Sequence, residues 1–162
     1  MVLSDGVKIF VNYKNNRWEL FIDKSFKRND VLDYLVKNYN LEFNKEESIG
    51  IFEKINGNQI HNIGSLSEDG DEYNLNIYPF VKETHTKYKS FYISARLGNM
   101  VSLEINPSNT IAYLKYLVEK KGLAVYEALG LSNIRGKDTD TLEYANVQPN
   151  MNIGLYIRAV NF

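Results

Sequence analysis

Side chains able to do chemistry are sparse in this chain. The only imidazoles are His61 and His85. Both lie in polar segments, without the H-x-x-x-H spacing that sets two ligands on one helix face, so neither a metal site nor a Ser-His-Asp site is expected from them. There is no Cys, which removes thiolate nucleophiles and thiolate metal ligands. The densest acidic run is Ser67-Glu68-Asp69-Gly70-Asp71-Glu72. It lacks the alternating carboxylates and terminal Glu of a calcium loop and reads as a surface turn before a strand. No G-x-G-x-x-G or Walker A pattern occurs to cradle a phosphate. The expectation is therefore no enzyme, no catalytic residue, no metal and no cofactor.

The elements that position these residues are those of an ordinary globular chain. The 162 residues carry 19 basic and 20 acidic side chains, with 44% apolar and 24% charged residues. That composition excludes a disordered tail, a collagen and a disulfide scaffold. No stretch approaches the roughly 18 apolar residues of a membrane span, and Met1-Val2-Leu3-Ser4-Asp5 has no signal-peptide character. No direct membrane insertion is expected. A net charge of −1 with no basic stripe gives no sign of nucleic-acid binding. The charge is uneven, however. Residues 1–84 hold 10 basic and 14 acidic side chains, and residues 85–162 hold 9 and 6.

The chain contains one pattern twice. In the first half, Ile9-Phe10-Val11 and Trp18-Glu19-Leu20-Phe21-Ile22 flank the polar turn Lys14-Asn15-Asn16-Arg17, which predicts a β-hairpin. In the second half, Phe91-Tyr92-Ile93 and Val101-Ser102-Leu103-Glu104-Ile105 flank Leu97-Gly98-Asn99. A helix follows each hairpin. The first is predicted to be capped by Asn29 or Asp30, with Leu32, Leu35, Val36 and Tyr39 inward. The second is predicted to be capped by Thr110, with Ile111, Leu114 and Val118 inward and Gly122 ending it. Each helix is followed by short apolar pieces and a closing strand, Tyr73-Asn74-Leu75-Asn76-Ile77 or Ile153-Gly154-Leu155-Tyr156-Ile157. The polar stretch around residues 83–89 separates the copies. The order is strand, strand, helix, strand, strand, twice over, an α+β class with a helix on one face of a small mixed sheet.

The second copy resembles the ubiquitin-like family over residues 89–158. The resemblance rests on Leu103-Glu104-Ile105-Asn106-Pro107-Ser108-Asn109-Thr110-Ile111, Gly98, Ile134-Arg135-Gly136-Lys137 and Thr141-Leu142-Glu143-Tyr144-Ala145-Asn146-Val147-Gln148. The first copy is more diverged, with Ile55-Asn56-Gly57-Asn58-Gln59-Ile60 as its best match. The resemblance implies two tandem ubiquitin-like β-grasp (ββαββ) domains: domain 1 over residues 1–82, a linker over 83–89, and domain 2 over 90–162.

Two properties of that family are tested by its motifs. Conjugation needs a diglycine tail, and Arg158-Ala159-Val160-Asn161-Phe162 has Asn161 and Phe162 there, so the chain is not expected to be conjugated. Receptor binding uses an apolar patch on the outer sheet face. Alignment puts Arg96, Asn133, Gly154 and Tyr156 there in the second copy, and Lys14, Lys54, Asn74 and Asn76 in the first. Burying polar groups unpaired costs roughly 1–3 kcal/mol each, which disfavours that mode. Tyr156 is the one plausible anchor. Lys137 matches a lysine that the family uses for linkage, and it reads here as a solvated turn residue.

Strand alternation also turns Phe10, Phe21 and Tyr92 outward, and Tyr113, Tyr116 and Leu117 lie off the helix stripe. Together with Tyr156 they are the candidate partner-binding residues, either shielding one copy with the other or docking another protein. The reading is a non-catalytic tandem ubiquitin-like protein acting as a protein-binding or structural subunit of a large complex. It is expected in the cytoplasm, within cytoskeletal or membrane-complex machinery, with an organellar assembly as another setting. The alternative is a ubiquitin-pathway adaptor or modifier that binds proteasome or ubiquitin receptors.

Overall fold

The computed structural model describes residues 6–81 and 89–158. Two compact units share them, the first ending at Ile77 and the second beginning at Tyr78. The division falls ahead of residue 82, where the polar connection suggested a boundary. Residues 82–88 of that connection lie outside the described residues.

In the first unit, β1 (Val7–Tyr13) and β2 (Asn16–Ile22) form an antiparallel hairpin in the register Ile9↔Leu20 and Val11↔Trp18. Lys14 takes a positive φ of 53° in the two-residue turn. After α1 (Arg28–Tyr39) come β3 (Ser48–Lys54), a short α2 (Ile63–Leu66) and β4 (Asp71–Pro79). The sheet order is β2-β1-β4-β3, with β4 parallel to β1. This mixed sheet buries Ile9, Val11, Leu20, Ile22, Phe52, Tyr73 and Leu75 against Val31, Leu32 and Leu35 of α1.

Two expectations for α1 change. The helix starts two or three residues earlier than predicted: Lys27 is the N-cap residue, and the Asp30 carboxylate accepts from Lys27 N at 2.9 Å. Asp30 thus works from inside the first turn, where a carboxylate also favours the positive end of the helix dipole. Val31 takes the inward place predicted for Val36, which is 39% exposed, because Val31, Leu32 and Leu35 form one i, i+1, i+4 stripe that Val36 lies beyond. Tyr39 is half-buried, stacks on Trp18 at 5.5 Å, and donates its hydroxyl to Glu19 O at 2.5 Å.

The second unit repeats the plan. It contains the hairpin β5 (Phe91–Leu97) and β6 (Asn99–Ile105), α3 (Ile111–Lys120), β7 (Leu129–Leu131) and β8 (Asn152–Ile157). The sheet order is β6-β5-β8-β7, with β5 and β8 parallel. Gly98 closes the hairpin at φ +73°, a conformation that favours glycine. Thr110 Oγ1 accepts from Tyr113 N at 3.3 Å, the predicted cap. Ile93, Ala95, Leu103, Ile105, Ile153 and Leu155 of the sheet pack on Ile111, Leu114 and Val118 of the helix. Each unit is therefore an α+β roll of strand order 2-1-4-3, the tandem ββαββ architecture.

Candidate protein-docking surface

The candidate residues fall on three surfaces. On the first unit, alternation along β1 and β2 turns Phe10 and Phe21 to the outer sheet face. Phe10 is not free for an anchor's role. Arg17 Cζ sits 3.8 Å from its ring centroid while Arg17 Nε pairs with Glu72 Oε1 at 2.8 Å. Lys8, paired with Glu19 at 3.4 Å, lies on its other flank, 5.8 Å from the ring. Hydrogen bonds from Arg17 and then Asn12 hold the Glu72 carboxyl below its ordinary range. Phe21 stays 60% exposed.

On α3, Tyr113 and Tyr116 are half-buried and already have a neighbour in their own unit. The Phe80 ring lies 4.8 Å from Tyr113 and 4.6 Å from Tyr116. Tyr78 stacks on Tyr126 at 6.5 Å, and Val81 N donates to Asn109 Oδ1 at 2.8 Å. Leu117 packs against the core of the same unit. Sequence reasoning missed Phe80, which lies beyond the predicted closing strand Tyr73–Ile77 and carries no local signal of its own. Its role becomes visible only when Phe80 is placed against α3.

A polar network lies beneath this helix. Lys115 Nζ donates to Asp138 Oδ1 at 2.9 Å, and the Tyr126 hydroxyl donates to Asp138 Oδ2 at 2.7 Å. Tyr126 is fully buried, and burial, reinforced by the Asp138 charge, pushes its hydroxyl far above its ordinary pKa. The carboxylate has a partner on each oxygen, so the network holds the loop carrying Asp138 to the helix.

The third surface is the outer sheet face of the second unit. Register sets Met100, Arg96 and Gly154 side by side in one row, and Ser102, Ser94 and Asn152 in another. Tyr156 stands beyond Gly154 on β8, opposite Gly130 of β7. Its ring lies across that glycine, since a Cβ built on Gly130 would stand 2.2 Å from Tyr156 Cζ. Tyr156 is 49% exposed and Met100 60%. Tyr92 is also exposed but pairs with Glu104 at the other end of the face, so the outward aromatics are not one cluster.

The alignment expectation for Asn133 is refined here. Ser132, whose N donates to Gly154 O at 2.9 Å, is the residue directly across from Gly154. Asn133 instead uses its amide as a strand substitute, accepting from Gly154 N at 3.0 Å and donating to Asn152 O at 2.6 Å. The face offers a Tyr ring, a Met side chain and the Arg96 cation around the flat Gly154. This is a composition suited to protein contact, since Tyr, Met and Arg are enriched at interface cores. Alignment with the family placed Arg96 on this face, Met100 was not singled out, and only the register brings the two to the row beside Tyr156.

No family model matches the chain, and no curated protein sequence matches it. Solved structures do show similarity. A ubiquitin-like domain of an Arabidopsis thaliana protein, determined by solution NMR, is 13% identical over 51% of this chain and 92% of its own, with a TM-score of 0.43. The ubiquitin of Caldiarchaeum subterraneum is 23% identical over 46% of this chain and 99% of its own, with a TM-score of 0.38. Strand order, the parallel central pair and the helix on one sheet face give each unit of this chain a ubiquitin-like β-grasp fold.

Proposed function

We propose that this chain is a non-catalytic, protein-binding ubiquitin-like protein that works as a subunit of a larger assembly and docks through the outer sheet face of its second unit. The observation that carries this reading is Tyr156. It is held flat over Gly130, half exposed, and flanked by Arg96 and Met100 across Gly154. A rigid aromatic with a free rim suits an interface anchor, because little side-chain entropy is left to lose on binding. Phe10 lies under Arg17, and Tyr113 and Tyr116 pack on Phe80, so those aromatics serve as structure and not as anchors.

The test is native purification of the full chain, with mass spectrometry of whatever co-migrates in stoichiometric amount. Tyr156→Ser is compared with Phe21→Ser. The expected result is a partner lost with Tyr156→Ser and kept with Phe21→Ser. A partner indifferent to Tyr156 would overturn the assignment of the face. Strong binding to proteasome receptors, or a covalent ladder, would replace it with the ubiquitin-pathway reading.

A further inference from the structure

We propose that β6 is a self-association edge: two copies of this chain pair antiparallel along Asn99–Ile105, about a two-fold axis at Ser102, and join their second-unit sheets into one. The argument starts from the two equivalent edge strands. β2 and β6 each end their sheet and share the same alternation of exposed and buried residues. An edge strand exposes unpaired backbone groups that invite another strand unless something blunts them.

β2 is blunted. The Tyr39 hydroxyl occupies the Glu19 carbonyl, Trp18 stacks on Tyr39, and Arg17 and Glu19 place charges along the strand. β6 carries none of these devices. Among the described residues, no side chain bonds to the backbone of Asn99–Ile105. Its only charge is Glu104, and it contains no Lys, Arg or Pro. Ser102 pairs with Ser94 at the register position that Glu19 holds against Phe10. Its backbone groups therefore face away from β5, as the Glu19 carbonyl faces away from β1.

Charge selects a second copy as the occupant and Ser102 as the axis. With Ser102 opposite Ser102, Met100 of one copy faces Glu104 of the other. Glu104 then joins the outer-face row that already holds Met100 and Arg96. Arg96 and Glu104 are both exposed, and neither has an ion pair among the described residues. The pairing thus brings each lone carboxylate within about two strand spacings, roughly 10 Å, of the lone guanidinium of the other copy, a gap that a long Arg side chain spans over Met100. An axis at Glu104 would oppose like charges, and one at Met100 would leave only a short paired stretch. The symmetric contact is closed and isologous, so it yields a dimer and not a filament.

The test is sedimentation equilibrium of the full chain with Arg96→Glu, Glu104→Arg and the double exchange. The expected result is a dimer weakened at least about tenfold by either single change and restored by the double, because like charges replace opposite ones in the singles. Ser102→Pro, which removes the outward N–H of an edge position where proline is tolerated, is expected to give monomer. A wild-type chain that stays monomeric at its highest soluble concentration would overturn the proposal. So would a dimer that ignores both charge changes. Arg96 and Met100 border both this seam and the docking face, so the dimer is read on the chain alone by sedimentation, and Tyr156→Ser, on β8 two strands away from β6, tests the docking role by itself.

Discussion

The ring of Tyr156 lies across Gly130, so close that a Cβ on that glycine would meet Cζ at 2.2 Å. The glycine is a shelf for the ring, a pairing that covers an otherwise bare backbone position near the sheet edge. Gly130→Ala is expected to swing the Tyr156 side chain off this shelf and leave the fold intact, because the atoms met are the far end of a rotatable side chain. Thermal unfolding should shift by no more than about 1 kcal/mol. Partner binding through this face should fall about as far as with Tyr156→Ser.

Gly64 is the contrasting glycine. A Cβ there would stand 2.3 Å from Asp23 O and 2.7 Å from Lys24 O. Both are backbone atoms, held in a turn where Gly64 N also donates to Phe26 O at 2.8 Å. Gly64→Ala must therefore displace a whole segment, and an expected loss of about 2–3 kcal/mol is read by urea unfolding.

Asp138→Asn keeps an acceptor for Tyr126 but leaves Lys115, which is 9% exposed, without its counter-charge. The expected cost is about 2 kcal/mol, below that of a fully buried pair because solvent reaches part of the network. Lys115→Met in the same background should recover part of it, since the unpaired charge is then gone. Chemical denaturation of the single and double variants measures both.

Tyr73 supplies a pH dependence. Burial pushes its hydroxyl up to about 12, opposed in part by its hydrogen bond with Ser67 Oγ at 2.5 Å. The folded state thus resists losing a proton that the unfolded chain gives up near pH 10. The stabilisation from neutral Tyr73 is complete below pH 10 and declines as pH rises from 10 towards 12, by an order of 2 kcal/mol in all. Tyr73→Phe should flatten that decline, as followed by denaturant midpoints between pH 8 and 11.

The two hairpins and the helix α3 were legible in the residues themselves. Trp18, Leu20 and Ile22, or Val101, Leu103 and Ile105, alternate at period two, and Thr110 and Gly122 bracket the helix between them. These signals are local, since one face of each element must be apolar and each helix end must satisfy its free backbone groups. The start of α1 was less legible because Asp30 caps from the third helical position, and the N-cap Lys27 carries no capping signal of its own.

What the sequence by itself determined was the ββαββ order, twice, and which residues alternate inward and outward. Tertiary structure alone decided which outward residues remain available. Arg17 covers Phe10 only because β2 and β4 flank β1 and bring Glu72 to hold the guanidinium. Phe80 meets Tyr113 and Tyr116 only because residues 78–81 pack within the second unit, with Tyr78 on Tyr126 and Val81 bonded to Asn109. Tyr156 gains its shelf only because β7 pairs with β8 at Gly130. Each depends on contacts between residues far apart in the chain, set by register and packing, and no local period or composition encodes them.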